Sequence, residues 1–110
     1  MGYLIGGVER EVDQEGYLLE PDFGDEAPVV IARAEGIELT EAHWEVIRFL
    51  RAKYQERGQT PNFRMMLMEF SEEVRPGTDS KYLYALFPGG PAKQGVRVAG
   101  LPKPFGKGGY

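Results

Sequence analysis

The chain has 110 residues, of which 42% are hydrophobic and 27% are charged. Length and composition together predict one globular domain with a single modest core. A formal net charge of −4 argues against strong non-specific binding to nucleic acid, and the absence of cysteine excludes disulfides and thiolate metal sites. His43 is the only histidine, so we expect no metal and no cofactor. No apolar run is long enough to cross a bilayer, so we expect no membrane partner and a cytoplasmic location.

The beginning of the chain predicts a small β-hairpin. Residues 3–5 and 8–12 flank the pair Gly6-Gly7, which suits the positive φ angles of a tight hairpin turn. A second turn is expected at 13–16, because this segment combines charged and amide side chains with a glycine. Residues 17–18 then predict a short extended piece.

A loop at 20–24 and a helix over 26–35 are predicted next. Asp25 is a suitable N-cap, because its carboxylate can accept a hydrogen bond from a free amide of the first turn. Pro28 is tolerated in that turn, where its missing N–H removes no helical hydrogen bond. Gly36 is expected to end the helix.

The strongest helical signal covers Glu41–Arg57. Thr40 is a good N-cap and Gly58 a good C-terminal stop. Leu39 and Trp44 have the spacing of a hydrophobic staple, so we expect Trp44 to anchor the core. One side of the helix is an apolar stripe made of Trp44, Ile47, Leu50 and Tyr54.

A third helix is predicted to begin at Thr60 and Pro61, as an N-cap followed by a first-turn proline. Its body, 63–70, is apolar on almost all sides, which is typical of a helix enclosed by its neighbours. We therefore interpret its methionines as core residues. A polar loop is expected at 71–80.

The C-terminal third predicts two short helices and a tail. The segment 87–91 stops one helix and begins another, which should run to Ala99 and close on Gly100 in the left-handed conformation. Leu101 should then fold back towards Val96. The overall prediction is an α+β fold, in which a small hairpin packs on a compact orthogonal bundle of about five helices. The single domain should cover 1–100 and a mobile C-terminal arm 101–110.

One alternative follows from two neighbouring helices. The helices predicted over Glu41–Arg57 and 61–70 are joined by 58–60, which is helix-turn-helix spacing. A DNA-reading helix exposes polar and basic side chains, and only Asn62 and Arg64 qualify in the second helix. The helix pair therefore leaves a DNA-binding regulator as one hypothesis for the function.

The C-terminal motifs resemble a known family. Residues 82–94 read YLYALFPGGPAKQ and residues 99–106 read AGLPKPFG, which together look like the C-terminal signature of the DsrC/TusE family. Further matching segments are 16–18 (GYL), 35–40 (EGIELT) and 43–51 (HWEVIRFLR). The resemblance therefore covers nearly the whole chain.

The resemblance implies sulfur relay, but the chain departs from it at the reactive positions. Family members hand sulfur between partners as a persulfide or trisulfide; they include the companion subunit of dissimilatory sulfite reductase and a relay protein for tRNA 2-thiouridine synthesis. The carrier cysteine corresponds to Lys107 and a second family cysteine to Val96. Neither side chain supplies the thiolate that such chemistry needs. We therefore expect no catalytic residue and no enzymatic activity.

The resemblance also implies a partner-binding surface. Its expected role is to bind or regulate sulfur-transfer or sulfite-reductase proteins without catalysis. The alternative from the helix pair is then a helix-turn-helix DNA-binding regulator of sulfur metabolism. A further alternative is an enzyme subunit whose tail brings Lys107 into a partner's active site. The expected partner-binding residues are three basic side chains and the arm: Arg64, Lys93, Arg97, Leu101, Pro102, Lys103, Pro104, Phe105, Gly106 and Lys107.

Overall fold

The N-terminal hairpin is formed as predicted. The structure is a computed structural model and describes residues 2–104. Strand β1 (Gly2–Ile5) pairs antiparallel with β2 (Val8–Glu11). The turn between them uses Gly6 and Gly7 at φ angles of 60° and 80°, a region that glycine enters without steric cost. Beyond the hairpin, Val12 forms an isolated antiparallel bridge with Leu18, and this bridge closes the second predicted turn.

Helix α1 (Glu26–Ala34) begins and ends close to its predicted bounds. Its N-cap prediction was wrong in one respect, because Asp25 makes no side-chain hydrogen bond to the first turn. The Asp25 backbone has φ −79° and ψ −14°, whereas a capping side chain normally requires an extended backbone at that residue. The helix ends as predicted at Gly36, which has φ 76°.

Helix α2 (Glu41–Arg57) has the predicted bounds, and Gly58 closes it at φ 77°. At its start, His43 Nδ1 accepts a hydrogen bond of 3.0 Å from the Thr40 backbone N–H. Because Nδ1 accepts, the ring's Nε2–H donates across 2.9 Å to the carbonyl of Leu86. His43 is therefore a buried residue that caps its own helix and ties it to the C-terminal part of the chain.

Trp44 is not the core anchor that the sequence predicted. It is only partly buried and lines a surface groove together with Leu39 and Arg33. Two members of the predicted stripe, Ile47 and Leu50, lie fully in the core, and so does Val46 next to Ile47 in the chain. The predicted stripe therefore faces the core, with Ile47 and Leu50 fully buried and Trp44 and Tyr54 partly buried against it.

Helix α3 (Phe63–Glu73) begins later and ends later than predicted. Asn62, and not Thr60, caps it: the Asn62 side chain accepts a hydrogen bond of 2.9 Å from the Met65 backbone N–H. The Thr60 hydroxyl is buried and has no hydrogen-bond partner among the described residues. The helix also continues into the segment predicted as loop, because its last turns stay in contact with the core through Phe70.

Helix α3 is not enclosed on all sides. Met66 and Phe70 are fully buried, but Met65 and Met68 are 37% and 48% exposed. The prediction of a wholly buried methionine cluster was therefore wrong for two of its three members. The apolar residues of this helix outnumber the positions that its neighbours cover.

Two short helices complete the fold. Helix α4 (Ser80–Leu86) is capped by Asp79, whose carboxylate accepts from the Tyr82 N–H at 2.9 Å. Helix α5 (Gln94–Val98) follows a turn that already carries a helical hydrogen bond, from the Gly95 N–H to the Pro91 carbonyl. The predicted α+β fold is confirmed: within residues 2–104 it consists of one two-stranded hairpin and five helices.

The end of α5 closes as predicted. Gly100 has φ 80°, and the Leu101 N–H donates to the Val96 carbonyl across 3.2 Å. Leu101 is fully buried, so packing extends one residue beyond the glycine. Within the described part of the chain, no helix combines the length and apolarity of a membrane span.

Replacing Leu101 by Ala should lower the free energy of unfolding by about 2–5 kcal/mol, as deletions of fully buried leucines do. Lys93→Ala is the control, because Lys93 is exposed and its loss should change stability by less than about 0.5 kcal/mol. Urea unfolding followed by circular dichroism measures both. Equal stability of the two variants would mean that Leu101 does not belong to the core.

Replacing Glu69 by Gln should destabilise the protein mainly at neutral pH. Two hydrogen bonds from Arg57, of 3.0 and 2.8 Å, hold the pKa of the Glu69 carboxyl below its ordinary range. The carboxylate therefore stabilises the folded chain above that range, and its contribution is lost as the pH falls through the lowered pKa. Unfolding midpoints of wild type and Glu69→Gln should differ at about pH 7 and converge at an acid pH below the lowered pKa of Glu69.

Glu72→Gln is the matched control for that experiment, since Glu72 is exposed on the same helix. It should follow wild type at both pH values. A gap between wild type and Glu69→Gln that stays constant with pH would contradict the ion-pair explanation.

Candidate functional site

A buried arginine organises the place where the C-terminal arm leaves the domain. The Arg51 Nε–H donates to the Ala99 carbonyl at 2.8 Å, and Nη1 donates to the Phe23 carbonyl at 2.9 Å. Nη2 donates to the carbonyls of Asp22 and Gly24 at 3.0 and 2.9 Å. Burial lowers the pKa of Arg51, and the nearby acidic residues partly offset this effect. The guanidinium thus joins α2, the loop at 22–24 and the end of α5.

The same junction needs a glycine at position 100. The Asp22 N–H donates to the Gly100 carbonyl across 2.9 Å, so the two backbones lie side by side. A Cβ atom added to Gly100 would lie 2.7 Å from the Asp22 carbonyl oxygen, and φ at this residue is already 80°. Any other residue would therefore push residues 99–101, here called the arm root, away from the loop at 22–24.

A second set of polar contacts lies on α5. The Arg97 guanidinium makes two hydrogen bonds to the Glu35 carboxylate, Nε to Oε2 at 3.0 Å and Nη2 to Oε1 at 3.1 Å. Gln94 donates to the same carboxylate at 2.9 Å and accepts from the Gly89 N–H at 2.8 Å. Because these groups satisfy one another, the cluster fixes α5 against the end of α1.

Two tyrosines face this ionic cluster. The Arg97 guanidinium lies 5.4 Å from the centre of the Tyr17 ring. Burial raises the pKa of Tyr17, and Arg97 offsets part of the rise. The pKa of Tyr3 is also raised, first by burial and then by the charge of Glu35. Both hydroxyls are therefore neutral at physiological pH and do not act as bases there.

The described part of the arm lies against the second turn of the chain. The Asp13 carboxylate accepts from the backbone N–H groups of Glu15 and Tyr17 at 2.8 and 3.0 Å, which shapes that turn. Glu15 forms an ion pair with Lys103, and this contact raises the pKa of the Lys103 amine. Both side chains are more than half exposed, so the ion pair is a weak tether.

The structure separates the predicted partner-binding residues into three groups. Lys93, Lys103 and Arg64 are exposed, while Arg97, Pro102 and Pro104 are partly buried. Leu101 is fully buried and packs in the core. Phe105, Gly106 and Lys107 lie outside the described residues. Arg64 lies on α3, whereas Lys93 and Arg97 lie at the start of α5 and within it.

Only one of the two family cysteine positions, Val96, lies among the described residues. Val96 is fully buried and belongs to the same core cluster as Leu50 and Phe87. Lys107 follows the described residues. Among the part of the chain that the structure describes, no group of three metal-ligating side chains converges. The chemical capacity of the described site is therefore to hold the arm root and to present charge.

A family model described as "DsrC like protein" matches residues 4–106. The chain belongs to this family. It is 49% identical over 104 residues to the protein named sulfurtransferase TusE homolog of Haemophilus influenzae, which covers 91% of this chain and 94% of that protein. It is 48% identical over 106 residues to sulfurtransferase TusE of Escherichia coli, covering 92% of this chain and 94% of that one.

Solved structures agree with the family assignment. The oxidized gamma-subunit of the dissimilatory sulfite reductase (DsrC) from Archaeoglobus fulgidus superposes with a TM-score of 0.79 at 38% identity, over 96% of this chain and 99% of that chain. DsrC of Allochromatium vinosum also gives 0.79, at 42% identity over 94% and 95% of the two chains. The DsrC-like resemblance of the sequence is confirmed. These relatives give no support to the helix-turn-helix hypothesis.

Sequence reasoning missed Arg51 and Glu35 as organisers of the site. Arg51 stands among apolar residues of α2 at a position that turns out to be buried. A charged residue on the buried face of an amphipathic helix was the available signal, since such a residue needs partners inside the fold. Nothing in the local sequence identifies those partners, because they are backbone carbonyls 27 to 48 residues away.

Replacing Arg51 by Lys should lower the free energy of unfolding by about 2–4 kcal/mol. One ammonium group cannot reach four carbonyls in different directions, so the buried Ala99 carbonyl or the partly buried carbonyls of 22–24 are left without donors. Amide exchange at Asp22, whose N–H bonds to Gly100, should accelerate together with the loss of stability. Urea unfolding and hydrogen exchange measure the two effects.

Arg48→Lys is the control, because Arg48 is an exposed arginine of the same helix. It should change stability by less than about 1 kcal/mol and leave the exchange at Asp22 unchanged. Wild-type protection of Asp22 in Arg51→Lys would show that the arginine does not hold the arm root.

Proposed function

We propose that this DsrC-like protein binds and regulates the sulfur-transfer or sulfite-reductase proteins that its relatives serve, without carrying sulfur itself. The observation that carries the proposal is the combination of a family match over residues 4–106 with valine and lysine at the cysteine positions. Persulfide transfer requires a thiolate, and this sequence contains none. What is left of the family's properties is the shape and the charge of the surface.

The setting of Val96 supports a role without thiol chemistry. Its side chain is fully buried among apolar neighbours and exposes no surface to a partner. A thiol that must react with an incoming sulfur species needs access and a polar setting that favours the thiolate. Position 96 therefore contributes to packing in this chain.

The arm is the proposed docking element. Its root is held by the Arg51 contacts, so it leaves the domain in a defined direction. Pro102 and Pro104 restrict the backbone, and less conformational entropy is then lost when the arm enters a cleft. We infer that Lys107 occupies the place in the partner where the thiol of a cysteine-bearing relative would lie. The protein then competes with those relatives or senses whether the cleft is free.

The exposed bases add charge to this surface. Lys93, at the start of α5, and Lys103, in the arm, are both exposed. The charge of Arg97, by contrast, is neutralised by Glu35. Breaking the exposed pair of Lys103 with Glu15 requires little free energy, because such pairs contribute little in water. The free-energy cost of releasing the arm from the turn at 13–16 is therefore small, and it opposes docking only weakly. A cytoplasmic location of the complex stays a prediction.

Deletion of residues 102–110 should weaken binding to the partner by at least about tenfold while leaving thermal stability nearly unchanged. Leu101 is retained in this variant, because its loss would disturb the core. The measurement is a titration of the host's purified sulfur-transfer or sulfite-reductase protein, with a cysteine-bearing relative as competitor. Lys107→Glu in the full chain is the point variant that tests the charge at position 107.

Two outcomes would contradict the proposal. Equal partner affinity of the truncated and full chains would exclude the arm as docking element. A stable mass gain of one sulfur atom after incubation with a persulfide donor would show that the chain carries sulfur after all. Glu20→Gln is the control variant for the titration, since Glu20 is exposed and has no recorded ion pair within residues 2–104.

A further inference from the structure

We propose that a second docking surface lies on α3 and α4 and binds an acidic amphipathic helix of a partner protein. The surface, here called the α3/α4 face, consists of Phe63, Arg64, Met68, Lys81 and Tyr84. It is distinct from the arm and goes beyond the function proposed above. Its apolar centre and its charged margin are separate observations that point to the same kind of partner.

The apolar centre is continuous across the two helices. The rings of Phe63 and Tyr84 lie 5.3 Å apart in an edge-on arrangement, which joins α3 to α4. Tyr84 is 45% exposed and Met68 is 48% exposed. On a helix, Met68 lies one turn from Arg64 and beside the partly buried Leu67, so the exposed strip continues from Tyr84 along α3.

Such a surface favours association. Covering large apolar side chains with a partner is favourable, in proportion to the apolar area that is removed from water. Methionine and tyrosine are suited to changing contacts, because the methionine chain is flexible and polarisable and the tyrosine ring is large with a polar end. Helix α3 has more apolar side chains than its neighbours in the fold cover. A partner that covers the remaining ones would explain their presence.

The margin of the α3/α4 face carries positive charge that the described residues do not neutralise. Arg64 and Lys81 are exposed and have no ion-pair partner within residues 2–104. Most other basic side chains in that range are paired with carboxylates: Arg10, Arg48, Lys53, Arg57, Arg75, Arg97 and Lys103. Glu72, one turn beyond Met68, is the acidic residue at the far end of the strip.

The charges select among possible occupants. A two-fold dimer through this face would bring the Arg64 and Lys81 side chains of both copies together, and like charges at an interface are unfavourable. Nucleic acid is disfavoured by the apolar centre and by the small number of cations. A helix with aliphatic residues on one face and glutamates beside them satisfies both the centre and the margin.

The test uses two designed helical peptides with the same aliphatic face, one flanked by glutamates and the other by lysines. Each is titrated into the full-length ¹⁵N-labelled protein, and amide shifts are followed. The glutamate peptide should bind and shift amides of 63–68 and 81–85, and binding should weaken as salt is raised. The lysine peptide should bind at least about tenfold more weakly.

Surface variants sharpen the test. Met68→Ser and Tyr84→Ser should each weaken the glutamate peptide by about tenfold, as expected for losing one large apolar contact. Leu4→Ser is the matched control, because Leu4 is 67% exposed but lies on the hairpin. The double variant Arg64→Glu with Lys81→Glu should exchange the preference, so that the lysine peptide binds more tightly than the glutamate peptide.

Several results would overturn the inference. They are absence of glutamate-peptide binding, equal binding of both peptides, or shifts that map to other elements. A dimer in sedimentation velocity that Met68→Ser dissolves would assign the face to a second copy instead. The titration does not involve the arm, so it can succeed when deletion of 102–110 leaves partner binding unchanged, and it can fail when that deletion abolishes it.

Discussion

The fold depends on one buried guanidinium. Arg51 satisfies four backbone carbonyls that come from the loop at 22–24 and from the end of α5. Neither segment belongs to a sheet, and carbonyls that are withdrawn from water without a donor are costly. The Arg51 guanidinium thereby supplies the hydrogen bonds that a neighbouring strand would supply to these carbonyls in a sheet. It holds an irregular, partly exposed loop beside the end of α5.

The remaining contacts of the arm root are arranged around that point. The carboxylate of Glu35 receives hydrogen bonds from Arg97 and Gln94, which holds α5 against the end of α1. The close approach of Asp22 and Gly100 then sets where the chain turns outwards. In relatives named as sulfurtransferases or sulfite-reductase subunits, the same scaffold is shared. In this chain the scaffold is kept although the sequence has no thiol, and Val96 is part of the core.

Exposure is distributed unevenly over the surface. The cations of α2 and α5 mostly meet carboxylates, and His43 is used internally to cap α2 and reach Leu86. By contrast, α3 presents methionines to solvent beside Arg64, which has no ion-pair partner within residues 2–104. A helix whose apolar residues exceed its buried surface is explained most simply by a partner that covers the rest. The arm root and the α3/α4 face thus offer two different chemistries for contact, a basic extended segment and an apolar strip with a basic margin.

The sequence by itself determined the features that depend on neighbouring residues along the chain. The glycine turns of the hairpin, the bounds of α2 and the closure at Gly100 and Leu101 follow from local backbone preferences, and the absent thiol follows from composition. Only the tertiary structure decided which apolar residues are covered and which polar groups meet. Asn62 replaced Thr60 as cap, Trp44 stayed at the edge of the core, Met65 and Met68 remained exposed, and Arg51 found its four acceptors. These outcomes depend on segments distant in sequence, and periodicity along one helix contains no information about which side a distant segment will occupy.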